Sequence, residues 1–301
     1  MTNHLLSLAD MTPDELIALL NLADQLKADR GNPNHKPLAG KSIGMIFTKS
    51  STRTRVSFEV GIQELGGTAL FLSKNDIQIG RSESMSDTAE VLSRYLHGIV
   101  IRCNEHDTFL DYVSHSKVPV INALTDDFHP CQLLADLQTV REHLGRLKGV
   151  KVAYIGDGAS NMANSWILAA KLAGMDLRIG APKEFQPEAR ILGMGQGEGT
   201  VTVTADPVEA MKDADVVYTD VWVSMGFEEE AKERLEILKP YQVNDELMSH
   251  ADSNAKVMHC LPAYRGKEIT ASVLDGPQSI IWDEAENRLH AQKAVLQTLI
   301  K

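Results

Sequence analysis

The sequence predicts two α/β domains, each a doubly wound parallel sheet, joined by helices. Three observations carry this. Short apolar runs alternate with stretches of helical periodicity; the rhythm breaks across Gly145–Gly149 and restarts; and a last amphipathic stretch from Asp283 follows the second series. The expected organisation is a first domain over 1–145, a second over 146–282, and a terminal helix over 283–301 that packs back on the first domain.

Thr12-Pro13-Asp14-Glu15 is a capping box with proline at the first helical position, and Leu16, Leu19, Leu20, Ala23 and Leu26 follow at helical spacing. After Gly40 come a strand at Ser42–Phe47, a helix from Thr52 to Leu65, a strand at Thr68–Leu72 and a helix near Ser86–Leu96. Strands at Gly98–Arg102 and Val118–Asn122 and a long helix from His129 to Leu144 complete the first series. The second series places strands at Lys151–Ile155, Asp176–Gly180, Thr200–Val203, Val216–Asp220 and Lys256–His259. Helices are expected between them at Asn161–Ala173, Pro187–Met194 and Pro207–Lys212. From Asp283 to Ile300, acidic residues in the first turn and a stripe of Leu289, Val295, Leu296 and Leu299 mark the terminal helix.

Composition narrows the function. The 301 residues suit two domains, and 30 Lys+Arg against 41 Asp+Glu give a net charge of −11, the wrong sign for a nucleic-acid binder that works by neutralising phosphates. No apolar run approaches the roughly 18 residues that span a bilayer, and the start lacks a basic segment followed by an apolar one. A cytoplasmic protein without membrane or nucleic-acid partners is expected. Three cysteines, Cys103, Cys131 and Cys260, are too few and too scattered for a disulfide framework or a zinc ribbon. Cys131 falls in the first turn of a helix, where the dipole can lower a thiol pKa, and Cys103 follows Arg102 at a strand end; either is a candidate for alkylation.

The chemistry concentrates in a few runs. Ser50-Ser51-Thr52-Arg53-Thr54-Arg55 sits where a strand ends and a helix begins. Cations at the positive end of a helix cost about 0.3–1 kcal/mol each, so two arginines there point to an anionic guest, of which phosphate is the natural one. Residues two apart diverge on a helix, so Arg53 is assigned to the anion and Arg55 to an ion pair with Glu59. Arg102 ends a strand, where open α/β sheets place their ligands. Gly156-Asp157-Gly158 between strand and helix suggests a dinucleotide loop, but Asn161 replaces the third glycine and no acid ends the next strand. A zinc site from His129, Cys131, His259 and Cys260 is disfavoured because adjacent His259 and Cys260 on a strand would point to opposite faces.

The run Phe47-Thr48-Lys49-Ser50-Ser51-Thr52-Arg53-Thr54-Arg55-Val56-Ser57-Phe58-Glu59 resembles the carbamoyl phosphate signature of the aspartate and ornithine carbamoyltransferases. His129-Pro130-Cys131-Gln132 is similar to that family's second carbamoyl phosphate motif. His259-Cys260-Leu261-Pro262 and Asp220 followed by Ser224-Met225-Gly226 resemble the ornithine branch. The resemblance implies that Ser51, Thr52, Arg53, Thr54, Gln78 and Arg102 contact carbamoyl phosphate. It further implies that His129 and Gln132 hold its carbonyl oxygen and amide, and that Cys260, Leu261 and Arg288 complete that end. Asn161, Asp220, Ser224 and Met225 would hold ornithine. Arg53, Arg102, His129 and Cys260 are the implied catalytic set. The implied reaction is direct attack of the L-ornithine side-chain amine on carbamoyl phosphate, with no metal and no cofactor, in a homotrimer or a multiple of trimers. One departure stands out: Ser160 occupies a position that is commonly Asn in the family.

Overall fold

The computed structural model describes residues 3–73, 84–223 and 231–301. The chain divides into two compact units, one built from residues 1–138 and 286–301 and the other from 139–285.

The first unit opens with α1 (Pro13–Ala28). Its capping box is formed at both ends, and Leu16, Leu19, Leu20, Ala23 and Leu26 are its buried face. There follow β1 (Ser42–Phe47), α2 (Thr52–Glu64), β2 (Thr68–Ser73), α3 (Met85–Tyr95), β3 (Gly98–Arg102), α4 (His106–His115), β4 (Val120–Leu124) and α5 (Pro130–Leu144). The strands pair in the order β2-β1-β3-β4, all parallel. From β1 the chain first adds β2 on one side and then returns to add β3 and β4 on the other. The crevice beyond the carboxyl ends of β1 and β3 is therefore the topological switch point, where open parallel sheets bind ligands. Ser51 and Arg102 both stand at it. Beneath lies a core of Ile46, Ile99, Ile101, Phe109, Tyr112 and Val120.

The second unit contains β5 (Lys151–Ile155), α6 (Asn161–Ala173), β6 (Asp176–Gly180), α7 (Ala189–Leu192), β7 (Thr200–Thr204), α8 (Pro207–Met211) and β8 (Val216–Tyr218). After these come α9 (Ala231–Leu238), α10 (Asp245–Met248), β9 (Lys256–Met258) and α11 (Ala271–Leu274), and the last helix is α12 (Ile281–Leu299). The order β7-β6-β5-β8-β9 is again fully parallel, and its switch point lies between β5 and β8. The loop Gly156–Ser160 and the stretch Thr219–Asp220 meet there. The division between units falls within α5 and within α12, whose residues from Glu286 onward belong to the first unit.

Several elements differ from expectation. Helix α4 is absent from the sequence reading because only Phe109 and Tyr112 among its residues are buried, too few to show a period. Strands β8 and β9 stop at Tyr218 and Met258, so Asp220 and His259 lie beyond the pleat, and β4 begins two residues later than its apolar run. None of the described helices is long and apolar enough to cross a membrane.

Candidate active site

In the first unit the loop after β1 delivers Ser51 as the N-cap of α2, its hydroxyl accepting the Thr54 amide at 3.3 Å. Thr54 is buried while Thr52 and Arg53 face solvent at the helix start. Arg55 turns away, as its spacing requires: it pairs with Glu59 at 3.1 Å and lies 3.7 Å over the Phe71 ring. The aromatic contact has no signal in the sequence, because Phe71 arrives from the neighbouring strand.

His129 caps α5 through its carbonyl, which accepts from the Gln132 amide at 3.1 Å. Burial, and then the charges of Arg288 and Arg102, hold its imidazole well below the usual histidine pKa. The ring is neutral at physiological pH and can offer one N–H without adding a charge. Arg288, on α12 and 5% exposed, donates to Gln132 Oε1 at 2.5 Å and to Thr54 Oγ1 at 3.1 Å. With the Gln292 amide oriented so that its oxygen faces the guanidinium, Arg288 also donates there at 3.0 Å. The terminal helix thus ties the two motifs Ser51–Thr54 and His129–Gln132 into one buried network.

Contrary to expectation, Cys103 and Cys131 are too buried to be candidates for alkylation. Burial pushes the Cys103 thiol to about 12, with Asp126 and Glu105 adding to it, and burial pushes Cys131 to about 12 as well. Cys131 is fully buried and its thiol donates to the Asn122 carbonyl at 3.4 Å, so desolvation outweighs the helix dipole.

In the second unit Gly156 takes φ 126°, and a Cβ there would stand 3.0 Å from Trp222 Nε1, so the loop requires glycine. Ser160 is the N-cap of α6: its hydroxyl accepts the Ala163 amide at 3.2 Å and meets Tyr154 Oη at 2.9 Å. The departure from the family pattern therefore supplies a cap. Asn161 opens the helix, partly exposed. Asp157 is bound by Arg234, which also lies 4.4 Å over the Phe185 ring. Neither of those partners is legible in the loop sequence.

Asp220 accepts the Cys260 thiol at 3.1 Å and the Val221 amide at 2.7 Å. Burial nevertheless raises its carboxyl above the usual aspartate range, against the lowering effect of His259 and these two donors. His259 accepts the Leu261 amide on Nδ1 at 2.9 Å, which leaves its proton on Nε2, 3.3 Å from Glu268 Oε1. Its own amide donates to Glu284 at 2.9 Å. Leu261 sits in the left-handed region, φ 58°, which is rare for a branched side chain and needs such surroundings to hold it. Glu268 and Glu284, both fully buried, were not among the expected site residues; nothing in Lys267-Glu268-Ile269 distinguishes the buried acid from its exposed neighbour.

The strand alternation expected to separate His259 from Cys260 does not apply, since both lie past the end of β9. Among the described residues, donor atoms of Asp220, His259 and Cys260 all lie within 4.8 Å of one another. Gln78, Ser224 and Met225 lie outside the described residues.

Two family models cover nearly the whole chain. Residues 3–142 match the carbamoyl-P binding domain of aspartate/ornithine carbamoyltransferase, and residues 148–299 match the Asp/Orn binding domain. The ornithine carbamoyltransferase of Methanobrevibacter smithii is 51% identical, over 99% of this chain and all of that protein. Among solved structures, that of ornithine carbamoyltransferase from Pyrococcus furiosus superposes with a TM-score of 0.93 at 46% identity, covering 99% of this chain and 96% of that one. The enzyme from Thermus thermophilus gives 0.91 at 40% identity, with full coverage of both chains. With the ordered motifs and both switch-point crevices in place, the chain belongs to the aspartate/ornithine carbamoyltransferase family.

Proposed function

We propose that this chain transfers the carbamoyl group of carbamoyl phosphate to the side-chain amine of L-ornithine, giving L-citrulline and phosphate as a step of arginine metabolism. The observation that carries the reading is the buried network of Thr54, Gln132 and Arg288 beside a neutral His129. It offers a cation, an amide and an uncharged N–H in one place, as a carbonyl attached to a dianionic leaving group requires.

In this reading Ser51, Thr52, Arg53 and Thr54, with Arg102 and Gln78, hold the phosphate. His129 donates to the carbonyl oxygen, and Gln132 and Arg288 hold the carbamoyl end. The ornithine amine attacks the carbonyl carbon, the new C–N bond forms, and the C–O bond to phosphorus breaks with its electron pair leaving on phosphate. The amine proton passes to that phosphate, so no separate base is needed. Asp220, with Asn161, Ser224 and Met225, holds the amino-acid end, and a bound α-ammonium supplies the counter-charge that burial withholds from Asp220. Cys260 stands by the attacking nitrogen, and Leu261 completes the carbamoyl end.

Residues 1–145 serve carbamoyl phosphate, 146–282 serve ornithine, and the helix from 283 to 301 completes the first. The protein works in the cytoplasm without metal or cofactor, as a homotrimer or a multiple of trimers. Citrulline assays on chelator-treated protein with ornithine, aspartate, N-acetylornithine and putrescine test the chemistry, and light scattering tests the assembly. Citrulline is expected from ornithine alone. Product from another amine but not from ornithine overturns the substrate, and activity only with added metal overturns the cofactor-free reaction.

A further inference from the structure

We infer that Asp136 is a positioning residue that fixes which end of the Gln132 amide faces the substrate, and so sets the preference for a carbamoyl over an acyl phosphate. The inference rests on the proposed carbamoyl phosphate reading and adds a residue that the motifs do not contain. Asp136 lies one turn after Gln132 on α5 and is fully buried. Gln132 Nε2 donates to Asp136 Oδ1 at 2.8 Å, while Gln132 Oε1 accepts from Arg288 at 2.5 Å.

The amide therefore bridges a buried carboxylate and a buried guanidinium, with its dipole aligned to both. Rotating it by half a turn would place its NH₂ against the guanidinium and its oxygen against the carboxylate, exchanging two charge-assisted hydrogen bonds for two repulsive contacts. Only one orientation survives, and in it the end offered to the carbamoyl group is the carbonyl oxygen, an acceptor. A carbamoyl NH₂ can donate to it; the methyl group of acetyl phosphate cannot. A site built around such an acceptor rejects the analogue that lacks the donor.

The test measures binding of carbamoyl phosphate, acetyl phosphate and inorganic phosphate to the full-length wild type, Asp136→Asn and Asp136→Leu, with thermal melts as the folding control. Wild type should prefer carbamoyl over acetyl phosphate by about 10²-fold or more. Asp136→Leu should lose most of that preference and Asp136→Asn part of it, with inorganic phosphate affinity unchanged in both. A second series tests the pairing itself. Gln132→Glu sets a carboxylate against Asp136 and should weaken carbamoyl phosphate binding by about 10²-fold, and adding Asp136→Asn, whose NH₂ can donate to the new carboxylate, should recover about tenfold. Unchanged preference in a folded Asp136 variant, or no recovery in the double variant, overturns the inference. Wild type that makes no citrulline or ignores the carbamoyl group overturns the functional reading instead.

Discussion

The two units share an architecture and invert its chemistry. Each has a parallel sheet with one switch point, and each carries its site residues on the loops that meet there. In the first, the crevice holds Arg102 and the start of α2, and a neutral His129 stands among positive charges. In the second, a carboxylate with a raised pKa accepts a thiol, beside a histidine flanked by buried acids. The fold supplies only the place; the residues at the strand ends decide whether it receives an anion or an amine.

The sharpest break of that contrast is Arg53→Ala. Charge grows on the leaving phosphate as its bond to carbon breaks, so the loss should appear in kcat, at about 10²-fold or more, by analogy with removing one oxyanion donor. Arg55→Ala is the control two residues on. Its exposed pair with Glu59 and its stacking on Phe71 predict a stability loss of about 0.5–1.5 kcal/mol with kcat preserved. Equal kinetic losses in the two variants would erase the assignment of one arginine to chemistry and the other to structure.

Asp220→Asn probes the opposite unit and should act in two directions. Losing a charged partner for the ornithine amine lowers kcat/KM by about 10- to 10²-fold. The folded-state pKa of Asp220 is raised, so the native chain holds the proton more tightly than the unfolded chain does. Its contribution is most favourable below the unfolded value of about 4, is lost as pH rises through the raised folded value, and is a net penalty at neutrality. Melting at pH 7 should therefore occur at higher temperature in Asp220→Asn than in the wild type, with the gap closing as pH falls below about 4. A lower melting temperature at pH 7 would contradict the burial penalty assigned to this carboxylate.

The smallest expected effect concerns the thiols. Cys103 and Cys131 are buried with pKa values near 12, so a small alkylating agent should modify Cys260 alone in the folded protein, as read by peptide mass mapping. Ornithine's own amine attacks, so Cys260→Ala should keep turnover within about tenfold of wild type, the scale of one hydrogen bond. A trapped carbamoyl thioester, or a folded Cys260→Ala protein with no activity, would make the thiol a covalent participant.

Much of this was legible in the sequence wherever local chemistry decides structure. The Thr12–Glu15 capping box, the apolar face of α1, the bounds of β1, β3, β5, α6 and β6, and the Arg55–Glu59 pair all follow from spacing along one element. What sequence could not supply are residues whose role comes from a distant partner. Glu268 and Glu284 differ from exposed acids only in what folds over them, and Asp157 looks like a loop residue until Arg234 reaches it. Asp136 belongs with them: nothing in HPCQLLADL singles it out, and its meaning depends on Arg288 holding the other end of the Gln132 amide.

The first unit is discontinuous, closed by residues from Glu286 onward through bonds such as Lys27 to Asn287 and Lys293 to Glu64, and by Ile300 packed against Gly98. Translation proceeds from the amino end, and N-terminal domains ordinarily fold first as they leave the ribosome. Here residues 139–285 are contiguous and carry their own sheet, whereas the unit begun earlier includes residues made only after them. Arg288 arrives with that helix, so the step that finishes the fold also delivers the guanidinium that joins Thr54 to Gln132. A nascent chain halted before residue 286 lacks both, so the proposed anion site is incomplete until that helix has been made.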